Sequence, residues 1–287
     1  MMKLSVITIN YNNKEGLKKT IESVVSQIYQ DFEYIVIDGG STDGSIDIIK
    51  EYDKYINFWI SEPDKGIYNA MNKGTQYAHG EYCQYLNSGD YYYDNTVLQC
   101  FINCNHNSDI ILGKVAHINN STGEVAIGRS VTDEITFLAL YKAGINHQSS
   151  FIRKKYLLLY PYDEKYQICS DWKFFIQALV IGNCSFSTID NIIVYFDMGG
   201  VSHTKINENY QEREVILQEL FNFPPRIKAD YDMFNLPLLE LAKMLKKYDG
   251  FGKFVYRLNV VIINLYSFFR SLYSVANFSL FNHTPRK

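Results

Sequence analysis

An α/β fold with a mostly parallel central sheet flanked by helices is what the sequence predicts, and three observations predict it. Over the first hundred residues, short β-branched or aromatic runs alternate with stretches whose apolar residues recur at helical spacing. The connections between them are short, which brings successive strands into one layer with helices packed over it. Of the 287 residues 47% are apolar and 21% charged, enough for a substantial core and far from a disordered composition.

Taken in order, Leu4–Ile9 reads as the first strand, bounded by polar turns as buried parallel strands are. Leu17, Ile21, Val24, Val25 and Ile28 then mark one face of a helix. Tyr34–Ile37 is the second strand. Ser41-Thr42-Asp43-Gly44 starts a second helix carrying Ile46, Ile48 and Ile49, with Asp43 suited to cap it. Phe58–Ile60 is a third strand, 66–78 a third helix and Glu81–Leu86 a fourth strand.

After Asp90 the order changes. Ile110–Ile118 and Glu124–Ile127 flank Asn119-Asn120-Ser121-Thr122-Gly123 as an antiparallel hairpin. Helical and short strand pieces follow to about Met198. Past Pro224-Pro225 a helical extension is expected: Leu236–Lys247 is helical, Gly250 and Gly252 break it, and 254–281 is dense in Phe, Tyr, Val and Ile. The expected organisation is a domain over 1–222, with halves 1–95 and 96–222, and an extension over 223–287.

Composition narrows function. With 28 basic against 31 acidic residues the net charge is -3, so no cationic excess exists to neutralise a nucleic-acid backbone. Cys83, Cys100, Cys104, Cys169 and Cys184 form no CxxC pair and read as reduced, mostly buried thiols of a cytosolic chain. Cys100 and Cys104 stand near His106, but no second ligand cluster completes a zinc site. The N-terminal apolar run is too short for a secretion signal, and no stretch reaches the roughly 18 to 20 residues of a spanning helix. A cytoplasmic location is expected.

Four segments put polar residues at strand ends, where an open parallel sheet binds its ligand. They are Thr8-Ile9-Asn10-Tyr11-Asn12, Asp38-Gly39-Gly40-Ser41-Thr42-Asp43-Gly44, Ser61-Glu62-Pro63-Asp64-Lys65-Gly66 and Leu86-Asn87-Ser88-Gly89-Asp90. Any one is explained by ordinary turns and caps; four in succession converge on one rim. A dinucleotide fingerprint and a P-loop are both missing. Asp38–Gly44 fails as an EF-hand, because Gly40 and Thr42 stand where oxygen-rich side chains are needed.

Asn10-Tyr11-Asn12, the run Asp38–Ser45, the run Glu62–Gly74, Gly80-Glu81-Tyr82 and Leu86–Asp90 resemble, in order and spacing, the family 2 glycosyltransferases of the GT-A fold. The resemblance is strong over residues 3–95. It runs on more weakly through His147-Gln148, Ser170-Asp171-Trp172 and Gly199-Gly200-Val201-Ser202 to about residue 205.

That resemblance implies an inverting transfer of a sugar from a nucleoside diphosphate donor, UDP-linked by preference, to an acceptor hydroxyl in bacterial surface polysaccharide or lipopolysaccharide assembly. It assigns Thr8, Asn10, Tyr11, Asp38, Asp64, Lys65, Gly66, Asn72, Lys73, Asn87 and His147 to the nucleotide-sugar site. Within it Asp38 would accept a uracil imide N–H and Tyr11 would pack on the base, unless Tyr11 is core filler. Lys65 or Lys73 would offset phosphate charge, or be solvated. His147 would face the diphosphate or the metal, or be a bonded core histidine. His203 is a weaker metal candidate.

The family commonly ends its fourth strand with Asp-x-Asp. Asn87-Ser88-Gly89-Asp90 leaves one carboxylate, so Asp90 becomes the expected ligand of Mn2+ or Mg2+, leaning on the donor's own oxygens. Asp171 matches the family's general base, and a helix dipole would hold it ionised; capping the helix Trp172–Ile181 is its other reading.

In the tail, Arg257 and Arg270 bracket a 12-residue uncharged run, short for spanning but suited to a bilayer interface, with domain packing or dimerisation as alternatives. Interface contact through 254–281 would suit a lipid-linked saccharide acceptor. Two rivals are weighed. Nucleotidyl transfer needs a basic Gly-rich loop after strand one, which Asn10–Gly16 does not supply. A non-catalytic sugar-nucleotide scaffold would explain the reduced carboxylate motif.

Overall fold

The computed structural model describes residues 3–104, 107–118, 123–128, 135–197 and 205–222. All fall in the compact unit Met1–Phe223; a second unit is Pro224–Lys287. His106, Gly199–Ser202, His203, the helix expected at 236–247 and the run 254–281 lie outside the described residues.

The chain opens with β1 (Leu4–Asn10), buried along its whole length. Asn13 then caps α1 (Lys14–Val25) by accepting from Gly16 N–H, and Leu17, Thr20, Ile21 and Val24 form its inward face. β2 (Glu33–Asp38) is buried throughout, and α2 (Ser45–Glu51) follows it. Next come β3 (Phe58–Ser61), α3 (Ile67–Tyr77), β4 (Tyr82–Tyr85), β5 (Tyr91–Tyr92) and α4 (Val97–Asn103). The hairpin is β6 (Ile110–Ile118) with β7 (Val125–Ile127), paired antiparallel. α5 (Phe137–Lys142), β8 (Ser150–Arg153), α6 (Lys154–Leu159), α7 (Ser170–Phe175), β9 (Phe186–Asp197) and α8 (Ile206–Phe221) complete the described chain. The helix expected over Trp172–Ile181 changes character, because Ile176–Ile181 continues α7 as a π-turn.

One nine-stranded sheet runs β3-β2-β1-β4-β8-β6-β9-β5, with β7 on β6. The expectation of a mostly parallel sheet holds from β3 to β4, where each strand is separated from the next by a helix. Beyond β4 the sheet is mixed: β8 runs antiparallel to both β4 and β6, and β5 antiparallel to β9. The regular strand–helix alternation ends at Asp90, and with it the constraint on strand direction. Phe58–Ile60, expected to be buried, is half-buried, because β2 is the strand beside it and β3 forms the edge.

Packing fixes the rim. Leu4, Val6, Tyr34 and Val36 meet Leu17, Ile21 and Val24 of α1 on one face, and the Phe101 and Phe151 rings stack 4.0 Å apart deeper in the core. On the other face α3 lies hard against β1: a Cβ at Gly74 would stand 2.4 Å from Ile7 Cγ2. At the opposite end of the sheet, buried Glu33 accepts from Ser5 Oγ at 2.5 Å and from His79 N–H at 2.7 Å. Burial pushes the Glu33 carboxyl up, but these bonds outweigh it and hold it below the ordinary carboxylate value.

Candidate active site

Register places Asn10, Asp38 and Ser61 side by side at the carboxyl ends of β1, β2 and β3. Asp38 Oδ1 accepts from Asn10 Nδ2 at 2.8 Å and Ser41 Oγ at 2.6 Å. Its Oδ2 accepts from Ser61 Oγ at 2.6 Å and from the N–H groups of Ser41 and Gly40 at 2.9 and 3.2 Å. Burial raises this carboxyl, yet the bonds from Ser41, Ser61 and Asn10 together hold it below its usual range. Asp38 was expected to wait open for an imide N–H; in the structure it accepts from Asn10, Gly40, Ser41 and Ser61. The acceptor left over in this row is Asn10 Oδ1, buried and without a hydrogen-bond partner.

Thr8 also differs from expectation. It is wholly buried and shares a 3.1 Å bond with the Tyr34 hydroxyl, so it lies beneath the rim as core rather than lining a pocket. Tyr11 is 65% exposed, which removes the core-filler reading. Its ring and Asp64 Oδ2 both crowd Gly39, where a Cβ would lie 2.5 Å from that oxygen. Asp64 Oδ1 accepts from Gly66 N–H at 2.8 Å, and Gly66 has φ +114, a conformation suited to glycine. Asp43 ties two helix starts together, accepting from Ser45 N–H at 3.0 Å and Lys14 N–H at 2.8 Å.

The residues on α3 and just ahead of it divide. Lys65 is exposed, and no ion pair to it is seen among the described residues. Lys73 is committed to Glu62 at 2.7 Å. Asn72 is committed as well: its Nδ2 donates to Tyr162 C=O at 2.8 Å and its Oδ1 accepts from Tyr162 N–H at 3.0 Å. It holds the 162 segment as a neighbouring strand would, a structural task where a nucleotide contact was expected.

At the end of β4, Thr20 Oγ1 donates to the Asp90 carbonyl at 2.7 Å and orders the turn; Asp90 itself is 5% exposed. Among the described residues no three metal-binding side chains cluster. Asp90 offers a hard carboxylate oxygen, the ligand type that Mn2+ and Mg2+ take, and a cation there would need further oxygens from a bound diphosphate. The residues fit such an ion as part of a set completed by substrate.

Asn87 turns toward the second half of the site. Its Nδ2 lies 3.2 Å from His147 Nε2, and its Oδ1 is buried without a partner. His147, 6% exposed, places Nδ1 2.9 Å from Asp171 Oδ2. A carboxylate can only accept, so Nδ1 carries the hydrogen and Nε2 accepts from Asn87. The Tyr68 hydroxyl stands 2.6 Å from Ile168 C=O and 3.2 Å from Asp171 Oδ1, and donates its one hydrogen to either. Burial above all, then the Asp171 charge, raises Tyr68 well above its ordinary value and keeps it protonated.

Asp171 lies in the first turn of α7, whose N-cap is Cys169, so simple capping does not describe it. Of the helix's backbone it accepts from the adjoining Trp172 N–H at 2.8 Å. The backbone before α7 is held instead by Glu212 of α8, which accepts from the N–H groups of Gln167, Ile168 and Cys169 at 2.8, 2.9 and 2.9 Å. Asp171, His147 and Asn146 line a pocket of about 280 Å3 whose other wall includes Trp172, Asn209 and Arg213.

Sequence reasoning missed Tyr68, Glu212 and Arg213. Tyr68 sits inside the run Glu62–Gly74, buried on α3 with Ala70, Met71 and Gly74, and nothing local marks its hydroxyl as a site group. Glu212 and Arg213 stand about forty residues past Asp171 with no local signature.

The model of glycosyl transferase family 2 matches residues 5–166. A PGL/p-HBAD biosynthesis glycosyltransferase of Mycobacterium bovis is 29% identical over 219 residues, covering 73% of this chain and 82% of that one. S. aureus TarS 1-349 in complex with UDP-GlcNAc superposes with a TM-score of 0.59 at 23% identity, over 71% of this chain and 61% of that one. This chain thus spans about three fifths of the TarS fragment's length. A mannosyltransferase from Pyrobaculum calidifontis in complex with GDP-Man and Mn2+ superposes with a TM-score of 0.58 at 15% identity, over 94% and 82%. At such identities the structural likeness speaks to the GT-A fold alone.

Proposed function

Because this chain belongs to glycosyl transferase family 2, we propose that it carries a sugar from a UDP-linked donor to an acceptor hydroxyl, with inversion, in the assembly of a bacterial surface polysaccharide or glycolipid. The observation that carries this is the Asp171 carboxylate, held by His147, Tyr68 and the Trp172 N–H on the wall of a pocket. The complexes of the structural neighbours with UDP-GlcNAc and GDP-Man support a nucleotide-sugar donor, and the mycobacterial relative, a glycosyltransferase of PGL/p-HBAD biosynthesis, supports a biosynthetic setting of this kind.

In this reading Asp171 Oδ2 takes the proton of the acceptor hydroxyl while that oxygen attacks the anomeric carbon and the diphosphate leaves from the opposite face. One displacement inverts the centre. His147 Nδ1–H and the Trp172 N–H fix the carboxylate's orientation. Tyr11 covers the base, Asn10 Oδ1 accepts from it, and Asp38 holds the turn that shapes its pocket. Lys65 meets the phosphates. Asp90 would hold Mn2+ or Mg2+, which when bound neutralises charge on the departing diphosphate.

The test is thermal unfolding with UDP, dTDP or GDP, each with and without Mn2+. A nucleotide at 100 times its Kd adds about 2.7 kcal/mol of stability. UDP should stabilise most, more so with Mn2+, and Asp90→Ala should abolish the metal increment alone. No shift with any nucleotide would sink the proposal and favour a scaffold with a decayed site.

A further inference from the structure

Arg213 stands on the wall of the Asp171 pocket without a direct ion pair among the described residues. Its Nε is buried with no hydrogen-bond partner. The acid next to it in sequence, Glu212, is spent on three backbone N–H groups. The neighbouring Cys169 thiol is hydrogen-bonded to Arg213, but burial pushes it up to about 12, so it brings no negative charge. Asp171 shares the pocket, but each of its oxygens already accepts a hydrogen bond, from His147 and from the Trp172 N–H.

The guanidinium is nonetheless held in place. Its Cζ lies 4.7 Å from the centroid of the Trp172 ring, and the Trp172 indole is itself fixed by donating to Leu140 C=O at 2.7 Å. A half-buried cation with a desolvated, unpaired N–H costs stability until an anion meets it. Rigid stacking preserves the planar fork that recognises a carboxylate or phosphate through two bonds. No such anion is supplied by the described protein, and the pocket also holds the proposed base.

We propose that this pocket receives the acceptor and that Arg213 binds an acidic group on it, a carboxylate or a phosphate, so that a nearby hydroxyl is presented to Asp171. This rests on reading Asp171 as the base. The acceptor is therefore an anionic saccharide or a phosphate-bearing one, and a neutral sugar would lack the group that Arg213 pairs.

The two tryptophans supply the test. Trp172 stacks on Arg213, whereas the Trp59 indole bonds to Asp53 at 2.7 Å on the edge strand and serves as an internal control. The full chain, saturated with UDP, is titrated with glucuronate and glycerol phosphate, and with glucose and glycerol as neutral counterparts, while the two indole N–H resonances are followed. The acidic probes should shift the Trp172 signal saturably and leave Trp59 still; the stronger of the two tells carboxylate from phosphate. Arg213→Gln should weaken that binding at least about tenfold, and Arg213→Lys less, with UDP stabilisation intact in both. Equal response to neutral probes, no response to either acid, or no loss in Arg213→Gln overturns the proposal. If UDP fails to stabilise the protein but the acids still shift Trp172, the donor assignment falls and the anion site stands.

Discussion

His147 Nδ1 and Asp171 Oδ2 lie 2.9 Å apart although 24 residues separate them in the chain. The contact joins a 3-10 turn ahead of β8 to the first turn of α7, and Asn87 of the β4 end meets the other ring nitrogen. One imidazole thereby links the nucleotide-side strand ends to the proposed base.

Asp171→Asn keeps the size of the side chain and removes its ability to take a proton. Transfer, followed as UDP release from the donor, should fall by about a thousandfold. The rise in melting temperature caused by UDP should persist. Loss of both together would mean that Asp171 serves the fold.

His147→Ala should lower kcat by roughly tenfold to a hundredfold with little change in the donor KM, since the carboxylate loses its orienting donor but not its chemistry. His147→Asn retains an N–H near the Nδ1 position and should recover part of the loss. An altered donor KM with kcat unchanged would assign His147 to the nucleotide instead.

Acidification should destabilise the protein through Asp38 and Glu33. Both carboxyls lie below their ordinary values when folded, so the unfolded chain binds their protons more readily. Their contribution is complete above the unfolded carboxylate range and is lost as pH falls through the depressed folded values. In urea unfolding, Asp38→Asn should flatten the decline of stability between about pH 5 and pH 3. An unchanged slope would show that Asp38 is not part of it.

Asn72→Ala should cost about 2 kcal/mol by urea unfolding, because the N–H and C=O of Tyr162 lose their partner. Affinity for UDP should not move. A selective loss of UDP binding would return Asn72 to the nucleotide site.

The parallel half of the fold was legible because helix crossovers between β-branched runs leave no other strand direction, and the polar ends of β1 to β4 announce the rim. The rest was less so. Nothing at Asn72 distinguishes a nucleotide contact from a clamp on Tyr162, since an amide serves either and the partner lies 90 residues away. Asp38 was legible as important but not as filled, because the filling depends on a register that places Ser61 beside it. Arg213 was invisible because helix α8 follows the canon of no local motif and meets Trp172 only in three dimensions.

The sheet itself carries a last consequence. β4 leads to the strand end bearing Asn87 and Asp90, and it is hydrogen-bonded directly to β8, which follows His147 in the chain. The strand end proposed for the donor and the turn carrying His147 are thus tied to adjoining strands of a single ladder. A hinge between them would have to tear Cys83 from Ile152, so the spacing works as a fixed gauge. If the proposed reading holds, discrimination among acceptors falls to the length of what fits between the gauge marks, and adaptation to a longer or shorter one comes from side chains on α7 and α8.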